Sequence, residues 1–182
     1  MTILDKVIAA VTPLESEDER HAARAKARQS VTEAPWLGRV LEHHQQIEAA
    51  FAAVKDAGDA NGRRRAQKWL GTLLTGHSLA EEAVLYPAMA LGDQKGHATA
   101  AYTEQSGAKV NLAALETLDP MSQDYLDKLE HVRGAVAHHV YEEESTWFPA
   151  LAAEGDIATQ MRLAARYTEE FDRYMGADAA GL

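Results

Sequence analysis

His77-Ser78-Leu79-Ala80-Glu81-Glu82-Ala83-Val84-Leu85-Tyr86-Pro87 returns 62 residues later as His139-Val140-Tyr141-Glu142-Glu143-Glu144-Ser145-Thr146-Trp147-Phe148-Pro149. A histidine, two glutamates, an aromatic residue and a proline recur in one register. On a helix, positions i and i+4 share a face, so His77 points with Glu81 and His139 with Glu143. An offset of 62 residues is two helices with their connectors, and the repeat therefore reads as two similar helical hairpins whose matching segments face each other. Both pairs lie on apolar stripes. One stripe is Trp69, Leu70, Leu73, Leu74, His77, Glu81 and Val84; the other is Leu129, Val132, Val136, His139, Glu143 and Trp147. A third stripe, Leu37, Val40, Leu41, His44, Ile47, Phe51 and Val54, again has a histidine in its middle.

Alanine is abundant, β-branched runs are short and proline falls where helices start or stop, which predicts an all-α chain. A short amphipathic helix is expected over 3–11, closed by Thr12-Pro13. A charged surface helix is expected over 16–30, with Ser16 as cap and Glu19 three residues on. Pro35 opens the first long helix, about 35–56, which ends at the Ala57–Gly62 break. The second runs about 63–90 with Pro87 tightening or kinking its last turn. The third runs about 97–118, and Asp119-Pro120 caps a fourth of about 120–153. A last helix covers about 157–175. Four long helices with short connectors suggest an up-down-up-down four-helix bundle over 35–155, with N-terminal helical segments in 1–34 and a C-terminal helix and tail in 156–182.

Composition narrows the chemistry. The 182 residues carry a net charge of −10, an unpromising footprint for nucleic acid. The one dense basic run, Arg63-Arg64-Arg65, reads as a solvated helix start. With no cysteine, disulfides, thiolate nucleophiles and cysteine-ligated metal sites are excluded. No apolar run approaches the roughly 20 residues of a membrane span, and Asp5-Lys6 interrupts any signal peptide. A cytoplasmic protein is expected, with neither nucleic acid nor membrane as partner; a protein partner is not specified. Eight histidines remain, most of them beside carboxylates.

An unpartnered buried carboxylate costs several kcal/mol or more, and two in one core also repel. A cation between them resolves both problems. Imidazole and carboxylate on opposing bundle helices suit iron or manganese, with zinc also compatible.

These residues resemble the hemerythrin-like (HHE) cation-binding domain. The carrying motifs are Glu42-His43-His44 with Ile47 and Phe51, and the two His…Glu-Glu…aromatic-Pro blocks, together spanning about 35–153. The resemblance implies a non-haem di-iron centre, oxo- or hydroxo-bridged and carrying carboxylate bridges, whose ligand would be a small oxidant or gas: dioxygen, peroxide or nitric oxide. Carried over by register, His44, His77, Glu81, His139 and Glu143 are the ligands. His43 and His138 are near-misses, expected in supporting or surface roles. Where the family offers a third-helix histidine, this chain has Gln105 within Glu104-Gln105-Ser106-Gly107-Ala108-Lys109. Glu104 rotating in is the favoured replacement; His97 reaching the site, or a weakly held second metal, are the alternatives. Tyr102 and Tyr141 border the bundle, as ligands or as amphipathic residues. Glu82 and Glu144 either support metal-bound histidines or face solvent, and His21 is solvated. Trp36, Trp69 and Trp147 are core anchors.

Few histidines and several carboxylates favour oxidation by dioxygen or peroxide over reversible carriage. The alternative reading is a redox- or iron-responsive sensor without turnover, in which segments 1–30 and 157–175 change their docking with the metal state.

Overall fold

A computed structural model of the chain describes residues 15–176; the helix expected over 3–11 and the tail beyond 176 lie outside them. The described residues are helical and contain no strand. Helix α1, Glu17–Ala27, ends in a 3-10 turn, Arg28–Ser30; α2 is Pro35–Asp56. Helix α3 runs Ala60–Ala80, passes through a π-helical turn, Glu81–Leu85, and continues as Tyr86–Leu91. Helix α4 is Lys95–Ala114, followed by a 3-10 turn, Leu115–Thr117. Helix α5 repeats the α3 plan: Gln123–Glu142, a π turn at Glu143–Trp147, then Phe148–Ala152. Helix α6 is Ile157–Met175.

Cross-helix contacts set the directions. Near one end, Arg63 at the start of α3 donates to Val54 O and Lys55 O at the end of α2. Lys55 also meets Glu130 early in α5, and Lys128 reaches Asn111 late in α4. Near the other end, Trp36 of α2 packs edge-on against Phe148 of α5. Consecutive helices are therefore antiparallel, and α2 to α5 form the up-down-up-down bundle. The apolar stripes face inward: Leu37, Val40, Leu41, Leu70, Leu73, Leu129 and Val132 are all buried.

The ends follow local chemistry. Ser16 and Glu19 form the expected capping box, and Pro35 opens α2. Helix α5 begins later than the expected 120, because Asp119-Pro120 makes a turn of its own and Ser122 is the cap, accepting from Tyr125 N. The basic triplet also differs from expectation. Arg63 is buried and donates to the carbonyls of Val54, Lys55, Ala57 and Pro120. Arg64 donates to Glu116 O and Leu118 O. Guanidinium donors here satisfy carbonyls that helix ends leave orphaned.

The two flanking helices do more than cover the outside. Helix α1 inserts Ala23, Arg24 and Ala27 against the α5 π turn, and α6 packs Gln160, Tyr167, Phe171 and Met175 onto α2 and α3. No described helix is long and apolar enough to cross a membrane.

Candidate metal centre

Both π turns begin at a repeat glutamate, Glu81 and Glu143. The repeat prolines explain them. Proline has no N–H and its ring crowds the carbonyl four residues back. Widening the preceding turn removes that conflict, and Tyr86 N bonds Glu81 O while Phe148 N bonds Glu143 O, five residues apart. The first π turn frees the Glu82 carbonyl, and Tyr102 Oη of α4 donates to it at 2.6 Å. That contact gives Tyr102 its role, away from the centre.

The carboxylates of Glu81 and Glu143 are fully buried between α3 and α5, with His44 of α2 beside them. His44 Nε2 lies 3.3 Å from Glu143 Oε2 and 3.9 Å from Glu81 Oε1. None of these three atoms has a hydrogen-bond partner. His77 Nε2 lies 3.2 Å from Glu81 Oε2. One ligand atom from each of His44, His77, Glu81 and Glu143 falls within 4.8 Å of the others, all buried. Three buried polar atoms converge here without a hydrogen-bond partner, and a cation among them would complete all three. The donor set fits such an ion.

The opposite oxygens of the same two carboxylates face a second group. His139 Nε2 is 3.3 Å from Glu143 Oε1. The hydroxyl of Tyr86 donates to Glu143 Oε1 at 2.8 Å and also lies 3.2 Å from Glu81 Oε2 and 3.1 Å from His139 Nε2. Gln105 Nε2 donates to Glu81 Oε2 at 2.5 Å and to Tyr86 Oη at 2.6 Å. Gln105 thus stands at the centre where the family histidine is expected. Glu104 lies on the far side of the His139 ring from Glu81 and Glu143. Its Oε2 takes the outer nitrogen of His139, Nδ1, at 2.8 Å. His97 is remote from the group and stacks on Trp147.

The outer nitrogens of all three inner histidines are held. Besides the Glu104–His139 pair, His44 Nδ1 meets Glu144 Oε1 at 2.9 Å and His77 Nδ1 meets Tyr167 Oη at 3.0 Å. Glu144 is itself fixed by Arg24 Nε of α1 at 2.8 Å. Outer hydrogen bonds of this kind select the tautomer that leaves Nε2 free for a metal. His43 is buried on the same side with its Nδ1 2.9 Å from Tyr167 Oη, and His138 pairs with Glu15 at the edge. Glu82, unlike Glu144, pairs with Lys109.

Titration follows the same geometry. Burial opposes a charged His44, but Glu143, Glu144 and Glu81 around it hold its pKa well above the ordinary value. Burial likewise opposes a charged His139; Glu143 and Glu104 overcome it and push the pKa up to about 10. Burial and the neighbouring Glu143 push Glu81 up to about 7. Glu143 is held low despite its burial because His139 and His44 face it. Burial, with the charge on His44, drives His77 down, and burial brings His43 down to about 3. Protons on His44 and His139 therefore counter the carboxylates, and a metal that takes their place must displace them.

A cavity of about 220 Å³ between α1, α2 and α5 approaches the centre from outside, lined by Arg20, Arg133, Ile47, Val136, Val140 and His44.

Residues 37–151 match the model of the hemerythrin HHE cation-binding domain. The chain belongs to that family. A curated relative named DNA nickase, from Nostoc sp., is 30% identical over 111 residues, which cover 59% of this chain and 31% of that protein. The HHE chain thus spans less than a third of that relative's length. No solved structure matches it.

Tyr86 and Tyr167 were not among the sequence candidates, although both carried a signal. The repeat puts tyrosine at 86 where its second copy has Phe148, so one copy brings a hydroxyl into the core. Tyr167 shares a buried stripe with Phe171 and Met175, and a buried tyrosine hydroxyl needs a partner.

Proposed function

We propose that this chain holds a carboxylate-bridged pair of iron ions and reacts there with a small oxidant. The carrying observation is the division of the two carboxylates. Glu81 and Glu143 each turn one unpartnered oxygen toward His44 and the other oxygen toward Tyr86. His44, His77, Glu81 and Glu143 would hold one ion, and His139 with the same two carboxylates would hold the other. Glu104 acts through His139 in this reading, as Glu144 acts through His44.

When bound, iron supplies the electrons that reduce dioxygen, peroxide or nitric oxide. The chain's own residues do the rest. Ile47, Val136 and Val140 present apolar surface on the inner side of the cavity, which would keep bulk water from the centre. Tyr86 keeps a proton on its hydroxyl oxygen beside both carboxylates, because burial and the charges of Glu143 and Glu81 raise its pKa well above the ordinary value. Gln105 offers an amide where an imidazole would bind iron more strongly, so the second ion is the weaker of the two.

The nicking activity in the Nostoc relative's name is not part of this reading. Most of that protein has no counterpart in the matched stretch. Arg63 and Arg64, which would meet phosphate, are folded onto backbone carbonyls.

The test is metal content after expression with iron, manganese and zinc all supplied. Two irons per chain, lost in His44→Ala and Glu81→Ala and oxidised when the reduced protein meets peroxide or dioxygen, would support the proposal. One ion per chain would remove the bridged pair, and a folded protein that takes up no metal would overturn the reading entirely.

A further inference from the structure

Tyr167 stands on α6, beyond residue 151 where the family match ends. Its side chain is fully buried, and its hydroxyl lies between two imidazoles, 3.0 Å from His77 Nδ1 and 2.9 Å from His43 Nδ1. We propose that Tyr167 is a positioning residue of the metal centre, and that through the His77 ring it couples the docking of α6 to metal binding. The proposal rests on the reading of His77 as a ligand.

Hydrogen counting selects one arrangement. A phenol has one hydrogen and here faces two ring nitrogens. If His77 offers Nε2 to a metal, its Nδ1 carries the hydrogen and donates to Tyr167 Oη. The phenolic hydrogen must then go to His43 Nδ1, which leaves the His43 hydrogen on Nε2. His77 donates, Tyr167 accepts from it and donates onward, and His43 accepts; reversing the chain would put a hydrogen on the His77 atom that faces Glu81. Ring packing ties the same helix to the same histidines. His43 stacks on Phe171 at 3.8 Å and on Tyr167 at 5.6 Å, and meets His77 edge-on at 5.9 Å.

Helix α6 also has anchors that no metal touches. Trp36 Nε1 donates to Gln160 Oε1 at 2.6 Å, and Gln160 Nε2 donates to Leu151 O. Removing the Tyr167 hydroxyl should therefore leave α6 seated while releasing the His77 ring. Coupling of this kind is reciprocal: what the helix does for the metal, the metal does for the helix.

The experiment compares the 182-residue chain with its Tyr167→Phe variant, using zinc(II) as a redox-silent, diamagnetic probe in competition with a chelator. Losing an outer partner of a ligating histidine typically weakens metal binding about 10- to 100-fold. The variant should show that loss in affinity beyond a modest fall in its metal-free melting temperature, since two buried ring nitrogens lose their shared partner. In the zinc-loaded wild type, the His77 Nδ1 hydrogen should give a slowly exchanging imidazole signal that the variant lacks. Hydrogen exchange of α6 amides should slow when the wild type is loaded, and less so in the variant. Equal zinc affinity in the two proteins would overturn the inference and leave the metal centre standing. A lower metal-free melting temperature with unchanged affinity would make Tyr167 merely structural, which also overturns it. Should the variant misfold, identical α6 exchange in metal-free and loaded wild type would be enough to reject the coupling. Wild type that binds no zinc, iron or manganese would remove the metal reading and this inference together.

Discussion

Glu82 and Glu144 occupy one position of the repeat and do different work. Glu144 is buried between His44 and Arg24, whereas Glu82 pairs with Lys109. The divergence comes from what packs outside each copy: α1 supplies a guanidinium over the second, and α4 supplies a lysine beside the first. Glu104 shows the same dependence on neighbours. Facing the outer nitrogen of His139 at 2.8 Å, it should tune the centre from outside. We expect Glu104→Gln to weaken metal binding roughly 10- to 100-fold without abolishing it, and Glu81→Gln to remove bound metal altogether. Competition titrations against a chelator would separate the two, and equal losses would return Glu104 to the ligand set. His44, His77, Glu81, His139 and Glu143 were legible because helical periodicity places them on inward stripes. The position of Glu104 was not, since one helical step decides whether a carboxylate meets a metal or the back of an imidazole.

At the scale of elements, helix spans followed from caps and prolines, while the π turns did not. Pro87 and Pro149 announced a local disturbance, but a tightened turn, a kink and a widened turn all relieve a missing N–H. The structure chooses widening because it keeps Glu81 and Glu143 in the core and offers the Glu82 carbonyl to Tyr102. Loss of that hydroxyl in Tyr102→Phe should cost about 0.5–1 kcal/mol, the low end for a hydrogen bond because water reaches this half-exposed site. Urea denaturation would measure it, and metal stoichiometry should stay at the wild-type value. A large loss of metal would instead place Tyr102 in the centre. The attachment of α1 has its own signature. Burial opposes a charged Glu48, but the Arg24 guanidinium holds its carboxyl below the usual range. A lowered pKa contributes stability above the ordinary carboxylate value, and that stability is lost as pH falls through the lowered one. Glu48→Gln should therefore cost up to about 1 kcal/mol at pH 7, discounted for its half-exposed side chain. That difference should shrink toward zero below about pH 4. An equal cost at both pH values would show that packing rather than charge holds α1.

For the whole molecule, the bundle was legible and the integration of its flanks was not. The doubled motif implies two hairpins, and two hairpins with short connectors leave few topologies. Nothing in a charged segment such as Glu17–Ala27 marks Arg24 as the residue that reaches a core glutamate, and α6 carries its one polar contribution to the centre on an otherwise apolar stripe. The result is a fold whose centre is braced from outside the matched domain on two sides. Such a molecule should be stabilised by its metal as a whole. Without an ion, Glu81 and Glu143 are compensated by protons on His44 and His139 and by the hydrogens of Tyr86 and Gln105, while His44 Nε2, Glu81 Oε1 and Glu143 Oε2 stay without a partner. A ligand that binds only the folded state stabilises it by about 2.7 kcal/mol at a hundredfold excess over its dissociation constant. For a chain of this length each kcal/mol moves the melting temperature by roughly 2–4 °C. Stripping the metal with a chelator should therefore lower the melting temperature by about 5–10 °C, and re-addition of iron should restore it. Because binding must displace the protons on both histidines, the gain should diminish as pH is lowered. Calorimetry of stripped and loaded protein at two pH values would follow both effects. A melting temperature indifferent to chelation would mean that the His44, Glu81 and Glu143 cluster is a structural polar core instead of a metal centre.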